Sequence, residues 1–276
     1  MNQLYEGIGI SKQAVHQYAR RQRIFDHRLM ELMSEADDIR RDHPGCGVEK
    51  MYYTLKPDFI GRDRFVETFM QLGYLLKRKK NYRRTTIAGN IYYPNKIKGI
   101  EVNAPSVVWQ SDITYYRVGD KFYYAVFIID VYTKKIVGYE VSDHMRGTAN
   151  LKALRMALKN NKAPKIHHSD RGSQYTYKSY TELLKSHTTT ISMALSAQDN
   201  AYAERINRTI KEEYLDHWKP QTFSQLKNQV NKAVKNYNTK RSHDHLEKRN
   251  PEEFISYWST LKTEERPIIT IFDNEN

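Results

Sequence analysis

The chain has one cysteine, Cys46, so it can form neither an intramolecular disulfide nor a zinc site built on several thiolates. Long apolar runs are missing as well. The longest, residues 123–129, stops at Asp130, far short of the about 20 residues that span a bilayer. The opening MNQLYEGIGI has neither the charged nor the apolar region of a signal peptide. These absences argue against membrane passage and for a reducing cytoplasm. Carboxylates are in deficit too: 32 Asp and Glu against 45 Lys and Arg leave a formal charge of +13.

The excess is concentrated. Residues 77–100 hold Lys77, Arg78, Lys79, Lys80, Arg83, Arg84, Lys96 and Lys98 and no acid. A phosphate backbone rewards such a tract by releasing its counterions, so it reads as a DNA-binding linker; the plainer reading is a solvated charge run. With 276 residues the chain has room for about two domains.

Ahead of the tract, short helical patterns alternate with turn signals. Ser11 is a candidate N-cap for a basic segment reaching Arg23, which reads as the second half of a helix-turn-helix. A helix over 25–41 is followed by the breaker His43-Pro44-Gly45-Cys46-Gly47, a helix over 48–55, and another from Gly61-Arg62-Asp63 to Leu72, stopped by Gly73. The period turns strand-like near Asn103-Ala104-Pro105. Segments 107–116, 121–131 and 136–142 predict an antiparallel meander, followed by helix 150–160, strand 165–168, helix 177–186, strand 190–194 and helix 200–214. That order is α/β and matches an RNase H-like mixed five-stranded sheet with flanking helices, preceded by an all-α region. The expected domains are a helical, helix-turn-helix-like DNA-binding region (1–76), a basic linker (77–105), the core (106–215) and a C-terminal helical extension (216–276). In the extension, Phe223, Leu226, Val230, Val234 and Tyr237 have core spacing, and Phe254, Tyr257 and Trp258 are expected to cover that core.

Three stretches carry chemistry: WQSDITY around Asp112, HHSDRGSQY around Asp170 and QDNAYAE ending at Glu204. Each places one carboxylate at a strand, a strand end or a helix start, and the element order can bring all three to one sheet edge. Three hard oxygen ligands suit Mg²⁺ or Mn²⁺, and two such ions serve phosphodiester chemistry. On a helix, Tyr202, Ile206 and Ile210 group on one side and Glu204, Arg208 and Lys211 on the other, so the acid could reach a metal while a base meets phosphate.

These stretches, with Tyr237-Asn238-Thr239 through Arg241, His243, Leu246 and Pro251, closely resemble the second-frame (OrfB) transposases of the insertion-sequence-three family, whose core is similar to retroviral integrases. The resemblance runs from His43 almost to Tyr257; HPGCGVEKMYYTL and KRKKNYRRT resemble the family's helix-turn-helix region. It implies that Asp112, Asp170 and Glu204 are D-D-E ligands of two Mg²⁺ or Mn²⁺, and that Lys211 is the family's basic residue on the catalytic helix. It also implies double-stranded DNA ends and target as substrate, a homo-multimer on DNA, and an upstream-frame (OrfA) partner or frameshift fusion. The chain departs from the pattern once: 33 residues separate Asp170 from Glu204, where the family has about 35. The deficit is assigned to the loop after Met193, residues 194–198.

Taken singly, each acid has an ordinary explanation. Glu204 suits a first helical turn, paired with Arg208; Asp112 suits a strand edge; Asp170-Arg171-Gly172 suits a turn. His167 and His168, adjacent on a strand, point to opposite faces and read as structural, and His243 and His245 as loop residues. Two other functions compete with the transposase: a catalytically inactive, transposase-derived DNA-binding or regulatory protein, and a tyrosine recombinase using Arg241 and His243.

Overall fold

The computed structural model describes residues 11–76 and 92–271, which fall into two compact units, one of residues 11–42 and 46–76, the other of 43–45 and 92–271. Among the described residues no helix is long and apolar enough to cross a membrane.

Among its described residues the first unit is helical: α1 (Lys12–Asp42), α2 (Val48–Leu55) and α3 (Arg62–Phe69), the last continued by a π turn over Met70–Tyr74. Ser11 does cap a helix, its hydroxyl accepting from the Ala14 amide at 3.1 Å. That helix runs 31 residues without a turn, so the segment ending at Arg23 and the predicted helix over 25–41 are one element. No glycine or proline lies between Lys12 and Asp42 to break it. The core is Leu32, Ala36, Val48, Met51, Ile60, Phe65 and Phe69, with Phe65 and Phe69 stacked at 4.1 Å. Gly73, at φ 90°, ends the helical path beyond α3 as its sequence position predicts.

The second unit holds a five-stranded sheet. Strands β2 (Val108–Val118), β3 (Lys121–Asp130) and β4 (Ile136–Ser142) form the predicted antiparallel meander. Strands β5 (Ile166–Ser169) and β6 (Thr190–Met193) extend it in parallel, giving the order β4-β3-β2-β5-β6. Helices α4 (Gly147–Asn160) and α5 (Lys178–Ser186) cover one face; α6 (Ala201–Ile210) and, after the short α7 (Asp216–Trp218), α8 (Phe223–Thr239) cover the other. The apolar run in β3 follows from this. Ala125, Phe127 and Ile129 face α6 and α8, while Val126 and Ile128 face α4, as a central strand covered on both sides requires.

Two expectations are corrected. The stretch 92–105 is not a linker: Ile97 and Val102 are fully buried in this unit, and β1 (Glu101–Val102) pairs with β7 (Ile269–Thr270). Phe254, on α9 (Pro251–Thr260), does not cover the α8 stripe either. It packs with Ile97, Val102, Val108, Val131, Tyr132 and Leu246 in a separate cluster against which Tyr257 and Trp258 rest, whereas the stripe from Leu226 to Tyr237 lies in the core beneath α6 as predicted.

Candidate active site

Strand alternation and helix pitch build the site together. Side chains two apart on β2 face the helical segment that begins at α6, and each meets a residue four further along it. Gln110 accepts from the Ala203 amide at 3.3 Å, Asp112 Oδ2 from Asn207 Nδ2 at 2.8 Å, and Thr114 Oγ1 from Lys211 Nζ at 3.5 Å; Tyr116 donates to the Leu215 carbonyl at 3.0 Å. Four helical residues rise about 6.0 Å and two strand residues about 6.6 Å, so the rungs stay nearly in step. At 100° per residue each rung drifts about 40° around the helix. The wide π turn Lys211–Leu215, with an extra residue per turn, offsets that drift.

Asp170 arrives from the neighbouring strand. Ser111 pairs with Ser169 across β2 and β5, so the residues that follow, Asp112 and Asp170, stand side by side. The chain turns at once: the Gly172 amide donates to Asp170 Oδ1 at 3.0 Å, and a Cβ on Gly172 would lie only 2.8 Å from Gln174 Oε1 and 3.0 Å from that oxygen. The third acid, Glu204, is exposed on the first turn of α6.

The electrostatics tie the three together. Burial, the Asp170 charge and, more weakly, Glu204 push the Asp112 carboxyl up to about 8, against hydrogen bonds from the Ile113 amide and Asn207. Burial and Asp170 likewise raise Glu204, opposed by Arg208. Among the described residues no group of three or more His, Cys, Asp or Glu is arranged to hold a metal ion as it stands. The donor chemistry nonetheless fits a hard divalent cation: mutually repelling carboxylate oxygens, one of them desolvated, with no thiolate or imidazole among them.

The basic residues divide. Arg208 is exposed beside Glu204, whereas Lys211 is half-buried, with its ammonium 4.8 Å from the Tyr115 ring centroid. Burial lowers the Lys211 pKa. Lys77, Arg78, Lys79, Lys80, Arg83 and Arg84 lie outside the described residues.

His167 and His168 are structural. Both are buried, bonded to the Tyr180 hydroxyl at 2.6 Å and Ser192 Oγ at 2.8 Å, and burial pulls them down to about 3 and about 4, leaving them neutral. Arg241 binds Glu213 through two nitrogens at 2.7 and 2.8 Å, so it is engaged elsewhere than in supporting a nucleophilic tyrosine. Sequence reasoning missed Gln110, Asn207 and Tyr175. The Tyr175 hydroxyl is buried against Ser111 Oγ at 3.0 Å, beside both aspartates. The available signal was spacing: Asn207 lies three residues after Glu204 and four before Lys211.

A mixed five-stranded sheet of this order, with helices on both faces, has the architecture of an integrase core. Two profiles described as integrase core domain match residues 102–197 and 187–251. The 31 kDa protein of insertion element IS600 from Shigella sonnei is 32% identical over 203 residues, covering 71% of this chain and 75% of that protein. The transposase for IS904 from Lactococcus lactis is 32% identical over 184 residues, covering 64% and 72%. The chain belongs to the insertion-sequence-three family of transposases, with an integrase-like core. A simian T-cell lymphotropic virus intasome, solved in complex with PP2A regulatory subunit B56 gamma, shares the fold: TM-score 0.52 at 14% identity, over 65% of this chain and 64% of that one.

Proposed function

We propose that the protein cleaves and rejoins DNA at the ends of its insertion element, with Asp112, Asp170 and Glu204 holding two Mg²⁺ or Mn²⁺ ions. The observation that carries this is geometric: Asp112 and Asp170 follow the paired Ser111 and Ser169 on neighbouring strands, and Glu204 lies one turn ahead of Asn207, which bonds Asp112 at 2.8 Å. Ions bound there would supply the positive charge that favours both the attacking and the leaving oxygen of a phosphodiester exchange. The chain's own groups do the positioning. Asn207 and the Ile113 amide orient Asp112, the Gly172 amide orients Asp170, and Arg208 and Lys211, on the helical segment that carries Glu204, are bases for phosphate.

In the first step water attacks phosphorus, the bond to the 3′ oxygen breaks, and a 3′-hydroxyl is released. In the second that hydroxyl attacks another phosphodiester and displaces its 3′ oxygen. By family likeness the first joining links one element end to the same strand near the other. Holding two ends calls for a multimer on DNA, with an upstream-frame product as partner or fusion, and the basic residues from Lys77 to Arg84 grip the duplex.

Glu204→Gln should abolish Mg²⁺-dependent nicking of an element-end duplex and leave DNA binding largely intact. Nicking that survives the change would overturn the assignment. DNA binding without nicking by the wild type would favour the inactive, regulatory alternative.

A further inference from the structure

Arg171, the residue after Asp170, is held in an unusual way. Its Nε donates to the Ala194 carbonyl at 3.0 Å, and its guanidinium carbon lies 4.8 Å from the centroid of the Tyr92 ring, which is itself 51% exposed. Arg28, Arg41, Arg117, Arg241 and Arg249 each pair with a carboxylate. Among the described residues Arg171 has no such partner, although it directly follows Asp170, and its two terminal nitrogens make no hydrogen bond. A half-buried guanidinium with its plane fixed by a carbonyl and a ring, and its fork uncommitted, is pre-organised for an anion with two oxygens to offer.

The sheet says which side of the site it serves. Strand order runs β2, β5, β6, and Ala194 continues β6, its amide bonded to the Ser169 carbonyl at 2.9 Å. Arg171 is therefore anchored on the side of Asp170 away from Asp112. We propose that Arg171 binds a phosphodiester oxygen flanking the reacting one, fixing the DNA strand across the Asp112–Asp170 pair. This rests on the catalytic reading above for the identity of the reacting strand.

The test is a scan. Element-end duplexes carry a single methylphosphonate, uncharged, at each phosphate near the cleavage point in turn, with binding measured without divalent cation and nicking with Mg²⁺. In the wild type one flanking position should weaken binding. Arg171→Ala should weaken binding of the unmodified duplex, reduce its salt slope by about 1, and become insensitive to methylphosphonate at that same position. Its nicking should fall about 10- to 100-fold. Arg171→Lys, which keeps the charge without the fork, should fall between, and Lys185→Ala on α5 should change nothing. An Arg171→Ala protein that binds as the wild type does, or keeps the wild-type sensitivity at every position, overturns the proposal. A wild type that binds but never nicks defeats the catalytic reading, while the binding scan still decides Arg171.

Discussion

Lys134 keeps an ammonium inside the protein. At φ 59° its side chain folds under the β3–β4 turn, where Nζ donates to the Val131 carbonyl at 2.6 Å and sits 4.1 Å from the centroid of the Tyr202 ring. Burial drags its pKa down to about 7, with Asp130 opposing and Arg205 assisting. Unfolded, the same amine holds its proton to about 10.4. Between those values the unfolded chain binds the extra proton, so this residue makes stability rise with pH across the window, at most about 1.4 kcal/mol per pH unit. Wild-type melting temperature should therefore climb relative to Lys134→Met from pH 7 to pH 10, and parallel curves would refute it. At Asn207, truncation to Ala removes the donor to Asp112 Oδ2, and nicking should fall about 10- to 100-fold with DNA affinity unchanged. The three acids were legible in the sequence because their motifs surround them. Asn207 and Arg171 were not, since an amide or a guanidinium acquires its task only from the strand face or carbonyl it meets.

Elements were legible where periodicity is strong. The meander and the alternation after it fall within a few residues of expectation, because β-branched and aromatic runs of this kind fit only a buried sheet. Two features left no such trace. The first half of α1 buries no residue, with Tyr18 and Ile24 exposed, so little in its pattern tied it to the half that packs, and the stretch 92–105 is anchored by isolated apolar residues, Ile97 and Val102, that show no period. Close packing makes a further prediction: a Cβ on Gly138 of β4 would come within 2.3 Å of the Ala153 carbonyl oxygen on α4. Gly138→Ala should cost about 1–3 kcal/mol by forcing helix from sheet, read as a lower denaturant midpoint with an unchanged slope.

For the molecule as a whole, the +13 charge predicts a salt-dependent affinity for DNA. Replacing Lys77, Arg78, Lys79, Lys80, Arg83 and Arg84 with Gln should flatten the dependence of log affinity on log salt by about 5 if each reaches a phosphate, and an unchanged slope would place the contacts elsewhere. The rungs between β2 and the helix opposite also decide where the chain can change length. One residue inserted between Ala203 and Asn207 swings everything beyond it by about 100°, so no rung downstream survives. The turn before α6 obeys no such period. It is closed by the Asp199 carboxylate, which accepts from the Leu195 and Ser196 amides at 2.8 and 2.9 Å, and a longer or shorter turn can be closed in the same way. Relatives should therefore have gained and lost residues there while the run from Glu204 to Lys211 kept its count, and the 33-residue interval of this chain is one such length.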